Sequence, residues 1–214
     1  MTFTSLVPIA VLAAVLATTM NTTQTLARTP QETAALNAVA AKLGAVRTMN
    51  GEFVQFGPTG ERSEGKFYLA RPGKVLFQYN PPTTISVVAD GKSVLIHDKR
   101  LQTYDIWPLS KTPLKFLLDS TLDLASSERV ESVTVEPDLI RVVIVDDSKF
   151  GGGRLTLFFD AATNELRQWT VTDEQGLETT VAIYNVEVGN ELSQKIFRID
   201  YTAATNARRD NSDR

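Results

Sequence analysis

The chain has 214 residues, no cysteine, and a single histidine, His97. The missing thiol excludes cysteine nucleophiles, thiolate-bound zinc, disulfides and lipid attachment through an N-terminal cysteine. One imidazole cannot build a histidine-rich metal centre, and no G-x-S-x-G elbow accompanies it as a partner for nucleophilic catalysis. No excess of positive charge is present either: 22 basic against 25 acidic side chains give a net charge of −3. Without a long basic run, nucleic acid is not an expected partner. Composition is that of an ordinary globular protein, 43% hydrophobic and 22% charged, which excludes wholesale disorder. No internal repeat, linker or second domain is visible.

The first 27 residues contain no charged side chain. Their apolar run, Leu6 to Ala17, is too short to span a bilayer but has the length of a signal-peptide core. "TLA" at 25–27 ends in a small residue, so cleavage is expected after Ala27; an uncleaved anchor is the alternative. The expected division is a signal peptide over 1–27, one folded domain over 28–201, and a loose polar tail over 202–214. A secreted, soluble, cysteine-free chain of this kind belongs in the periplasm.

"TPQETAALNAVAAKLGAV" reads as an amphipathic helix over about 31–47, with Thr29 as cap and Pro30 in the first turn. The period then changes to two. "GEFVQF", "EGKFYLA", "KVLFQYN", "TISVVAD", "SVLIHD" and "LQTYDI" predict an antiparallel meander, with a tight turn at Asp90–Lys92. Between 107 and 127 the alternation breaks, and Pro113 can start a short helix carrying Leu114, Leu117 and Leu118. Five further strands follow, and "SQKIFRID" reads as one last short strand. About eleven strands with so few helices must curl. The predicted fold class is mainly β: a curled antiparallel sheet forming an incomplete half-barrel, closed by a helical lid over an apolar interior.

Most polar candidates have ordinary readings. Gly151–Gly153 is followed by a strand rather than a helix N-terminus, so it reads as a hairpin turn, not a phosphate loop. Asp146, Asp147 and Asp160 lack calcium-loop spacing and read as turn and strand-end carboxylates. His97 reads as a surface or turn residue, Trp107 and Trp169 as packing residues, and the lysines of "SKTPLKF" as solvated. No catalytic residue, metal ligand or cofactor site is identified. Arg71 is the exception. It ends the strand "GKFYLAR" and shares the parity of Phe67 and Leu69. A charge on that face is costly unless paired, so Arg71 either turns aside to solvent or is held there for a reason.

The ordered set "LGAVRTMNGEFVQF", "GKFYLARPGKVLFQY", "ISVVADGKSVLIHDK" and "TPLKFLLD", at this spacing, resembles the periplasmic lipoprotein carrier (LolA) family over about Leu36 to Ile199. The resemblance implies a non-enzymatic monomer without cofactor. It implies a shuttle that takes acylated lipoproteins from an inner-membrane ABC transporter to the outer membrane, where an acceptor lipoprotein can receive them. It also implies that Arg71 latches the lid through carbonyls near Leu43, Leu117 and Leu118. Phe53, Phe67, Leu69, Val75 and Phe77 would line the lipid cavity; Val75 and Phe77 stand where the family often carries aromatic residues. The family's extra C-terminal strand is not evident after Ile199. The other reading of the same fold is a lipid- or lipoprotein-binding sensor or regulator. A membrane-anchored acceptor would need the cysteine that is missing.

Overall fold

A computed structural model describes residues 28–120, 124, 126–146 and 152–212. The expected signal segment 1–27, Asp147 and Gly151 lie outside the described residues. Helix α1 (Pro30–Ala45) begins where Thr29 closes a capping box: the Glu32 amide donates to Thr29 Oγ1 at 3.2 Å and the Thr29 amide to Glu32 Oε2 at 2.8 Å. Its buried stripe is Leu36, Val39 and Leu43. The helix stops at Val46, which is extended and whose amide still bonds the Leu43 carbonyl.

Six strands follow as a meander: β1 (Thr48–Phe56), β2 (Arg62–Ala70), β3 (Lys74–Tyr79), β4 (Ile85–Asp90), β5 (Ser93–Asp98) and β6 (Thr103–Pro108). Gly91, at φ 103°, turns β4 into β5 where Asp90 accepts from the Lys92 and Ser93 amides. A 3-10 turn (109–111) and helix α2 (Leu114–Leu118) lead to a second meander. It comprises β7 (Val130–Val135), β8 (Leu139–Asp146), β9 (Gly153–Asp160), β10 (Leu166–Thr172) and β11 (Glu178–Val188). Antiparallel pairing of β1 with β11 joins the two meanders into one sheet, β6-β5-β4-β3-β2-β1-β11-β10-β9-β8-β7. Among the described residues β6 and β7 do not pair, so the sheet does not close.

The sheet curls strongly. β3 and β10 are separated by three other strands, about 19 Å across a flat sheet at roughly 4.8 Å per step. Yet the rings of Phe77 on β3 and Trp169 on β10 lie 6.2 Å apart. One apolar cluster accordingly joins residues of both meanders with Leu36, Val39 and Leu43 of α1 and Phe116, Leu117 and Leu118 of α2. Both helices lie on this inner face. No described helix is long and apolar enough to cross a membrane.

Several expectations are corrected. "SQKIFRID" forms no strand: 194–197 is a 3-10 turn on the outer face, where Phe197 is buried against Ala70 and Leu76 and Ile196 packs beside it. A strand would point those two neighbours to opposite sides; a helical turn lets both reach one patch. The segment expected to be a loose tail forms helix α3 (Tyr201–Ser212), which lies against β6. Asp200 Oδ1 caps it by accepting from the Thr202 and Ala203 amides at 3.0 Å, Tyr201 Oη donates to Asp90, and Ala204 is fully buried. Trp169 packs as expected, but Trp107, on edge strand β6, is 57% exposed. His97 lies within β5, half-buried, with its ring stacked 4.1 Å from Tyr104; burial lowers its pKa.

Candidate functional site

Arg71 continues the β1–β2 ladder by one residue, its amide donating to the Arg47 carbonyl at 2.8 Å. Strand alternation then forces its side chain onto the inner face, as for Phe67 and Leu69. Arg71 is 8% exposed, and its guanidinium turns along the helix ends rather than out to water. Nη1 donates to the Leu43 carbonyl and, at 3.4 Å, to that of Val46. Nε and Nη2 both donate to the Leu117 carbonyl, at 3.0 and 2.8 Å. The Leu118 carbonyl accepts instead from the Gly73 amide at 2.9 Å, two residues beyond Arg71.

The acceptors sit at helix ends, where carbonyls run short of intrahelical partners; the Leu43 carbonyl, which also accepts from the Val46 amide, takes Arg71 on its second lone pair. At the end of α1 they also carry the negative pole of the helix dipole, which favours a cation. Burial still strips the guanidinium of water, and its pKa falls to about 10, with Asp119 opposing the fall. One side chain therefore ties the β2–β3 turn to the last turns of both helices. Sequence parity located Arg71; the Val46 carbonyl had no sequence signal.

Beneath this tie lie Phe53, Phe67, Leu69, Val75 and Phe77, all buried in the inner cluster. Phe53 stands edge-on to Phe77 at 5.1 Å and to Tyr79 at 5.0 Å, while Phe67 stacks on Phe77 at 6.3 Å. The Tyr79 hydroxyl donates to Gln55 at 2.6 Å, which satisfies the one polar atom of this aromatic group. Burial pushes its pKa up to about 12.

A second tie holds α2 from the other side. The expectation of solvated lysines fails at Lys115, whose Nζ lies 2.5 Å from Asp146 Oδ2 at the end of β8. The two side chains are 22% and 3% exposed. Lys115 also donates to the Ser110 carbonyl and lies over the Phe116 ring. Asp146 is thus not a solvated strand-end carboxylate. The 31 positions between the partners hide the pair from sequence reading. Asp160, by contrast, does accept turn amides, from Ala162 and Thr163. Among the described residues no group of acidic or histidine side chains could hold a metal ion.

Residues 44–200 match the family model described as outer membrane lipoprotein carrier protein LolA. The chain belongs to the LolA family. Two relatives are each called outer-membrane lipoprotein carrier protein. That of Methylococcus capsulatus is 27% identical over 78% of this chain and 84% of its own length. That of Chromohalobacter salexigens is 25% identical over 79% and 84%. Among solved structures, a DUF1329 family protein of Desulfovibrio piger aligns over 82% of this chain and all of its own, with 11% identity and a TM-score of 0.48. A LolA superfamily protein of Nitrosomonas europaea aligns over 78% and 98%, with 8% identity and a TM-score of 0.43. The LolA match covers the last two residues of α1, both meanders and α2, and so includes Arg71 and the Val46 and Leu117 carbonyls, while Leu43 lies one residue before it.

Proposed function

We propose that this protein is a periplasmic carrier that takes acylated lipoproteins from an inner-membrane ABC transporter and delivers them to the outer membrane. The observation that carries the reading is the bonding of Arg71 to three helix-end carbonyls directly above a wholly apolar interior. Such a tie costs little to break compared with what cargo supplies. Charged hydrogen bonds contribute about 1.5–3 kcal/mol each. An acyl chain leaving water contributes roughly 0.8 kcal/mol per methylene, on the order of 10 kcal/mol per chain. Entry of cargo can therefore displace the latch, and the latch favours release afterwards. The names of the carrier relatives support the same reading.

The test is a release assay. Spheroplasts of the source organism are incubated with the purified chain lacking residues 1–27, and the soluble fraction is probed for outer-membrane lipoprotein. The expected result is a one-to-one soluble complex, with Arg71→Leu retaining cargo that wild type passes to outer membranes. Release of no lipoprotein by a chain that still binds free lipid refutes the shuttle and leaves a lipid-binding sensor or regulator of the same fold.

A further inference from the structure

Two bulges shape the sheet beside the latch. On β11, Phe53 pairs with Ile183 but Met49 pairs with Val188, with the register shift between Asn50 and Glu52. Asn185, at φ 50°, sits in this shift. The extra residue reverses strand parity, so Val186 and Val188 join Val181 and Ile183 on the inner face. Unbroken alternation would have pointed them outward. On β10 a second shift between Leu166 and Gln168 turns Leu166 to the same side as Trp169. The β10–β11 ladder runs only from Thr172↔Glu178 to Gln168↔Ala182. Beyond it β10 follows β9 and β11 follows β1, so the sheet parts along a seam.

That seam holds a slot of about 150 Å³. Leu166 forms one wall, Val186 and Val188 the other, Met49 lies on the β1 side, and Leu43 and Val46 of the last turn of α1 complete it. The slot is open at a polar rim of Lys42, Asn164, Glu165 and Arg167, and its aliphatic inner walls can accept a small apolar group. The rim charges are spent on one another: Glu165 pairs with Lys42 and Arg167 at 3.4 Å, and Arg167 with Asp160 at 3.5 Å. The slot therefore suits an uncharged hydrocarbon rather than an ion. Leu43, Met49 and Leu166 also belong to the inner cluster, so slot and interior are continuous. Val188 stands at the slot with 61% exposure.

We propose that the seam between β10 and β11 is the subsite at which an acyl chain of the cargo first enters, resting on the carrier reading above. Leu43 and Val46 line the slot, and their carbonyls are two of the three that Arg71 holds. Hydrocarbon pushed between the strands and α1 lifts this turn and draws those carbonyls off the guanidinium. Entry at the seam and opening of the latch are then one event.

The test uses cis-parinaric acid and a tripalmitoylated cysteinyl peptide as probes, with binding read by fluorescence and amide exchange of residues 43–46 read by mass spectrometry. Each methylene buried is worth roughly fourfold in affinity, so losing three or four from the slot costs at least tenfold. Val188→Glu places a charge at an exposed position and keeps the fold. It is expected to weaken both probes at least tenfold and abolish the faster exchange that they cause in wild type. Leu101→Glu, at an exposed apolar residue in the turn between β5 and β6 and away from the seam, should change binding by less than twofold. Val186→Trp, which fills the slot, should act like Val188→Glu. Wild-type binding with unchanged binding by Val188→Glu and Val186→Trp overturns the subsite and leaves the carrier reading standing. If wild type binds neither probe, both fall.

Discussion

Replacing Arg71 by leucine keeps the side chain's bulk and apolar stem but removes every donor. Three carbonyls then lose a charged donor, though that of Leu43 keeps the Val46 amide. At about 1.5–3 kcal/mol for a charged bond, the gross loss is roughly 5–9 kcal/mol. Against it stands the hydration that buried Arg71 has given up. A pKa lowered from 12.5 to about 10 corresponds to about 3 kcal/mol. The Val46 bond is long, at 3.4 Å, and counts at the low end. The net bias toward the closed lid is therefore about 2–4 kcal/mol, and Arg71→Leu should raise the open fraction roughly 30- to 1000-fold.

Amide hydrogen exchange reads this directly. Exchange in residues 114–118 should accelerate by that factor, while the outer strands β8 and β9 keep wild-type rates. Arg71→Lys should fall between: a point ammonium cannot reproduce the planar fork that reaches both helix ends. Wild-type exchange in Arg71→Leu would refute the reasoning, because it would mean that apolar packing alone holds α2.

The second tie should behave differently. Lys115→Met removes the ammonium from a carboxylate only 3% exposed and is expected to destabilise by about 2 kcal/mol, with Asp146→Leu added on top recovering part of the loss in a double-mutant cycle by urea unfolding. Tyr79 gives a pH signature: its folded pKa lies above its unfolded value near 10, so stability is full below pH 10 and falls as pH rises to about 12, by about 2–3 kcal/mol. Tyr79→Phe should lack that part of the alkaline loss, and parallel pH profiles would refute the assignment. Gly65→Ala should cost about 1–3 kcal/mol, since a Cβ there would stand 2.0 Å from the Gln78 carbonyl oxygen, and an unchanged denaturation midpoint would refute it.

The alternation was legible in strands such as β1 and β2, whose inner face carries Met49, Phe53, Phe67 and Leu69, because a buried face demands period two; β3, covered on its outer face at Leu76 as well, reads instead as a short apolar run. The same parity placed Arg71 beside Phe67 and Leu69. It failed where backbone geometry overrides the pattern. "YNVEVG" reads as unbroken alternation, yet the bulge at Asn185 puts Val186 and Val188 on the inner side. No residue type in that stretch demands a bulge, since Asn tolerates positive φ but does not require it. Phe197 looked like a strand residue because an apolar pair in eight residues fits either period. Lys115 looked solvated because its partner lies on β8, a neighbour only after the sheet curls.

The two ties on α2 differ in what they leave behind when broken. Separating Lys115 from Asp146 takes an ammonium from a deeply buried carboxylate, a loss that grows with burial. Separating Arg71 from Leu43, Val46 and Leu117 leaves uncharged carbonyls and a guanidinium at the mouth of the interior, all of which water can satisfy once the helix ends lift. Had the acceptor been a buried carboxylate, breaking the tie would cost about 3–5 kcal/mol and leave a second charge stranded at the interior. On the proposed carrier reading, the Arg71 tie is therefore expected to give way before the Lys115–Asp146 pair. Its α1 acceptors lie at the β10–β11 seam, where Leu43 and Val46 both line the slot and supply carbonyls to Arg71.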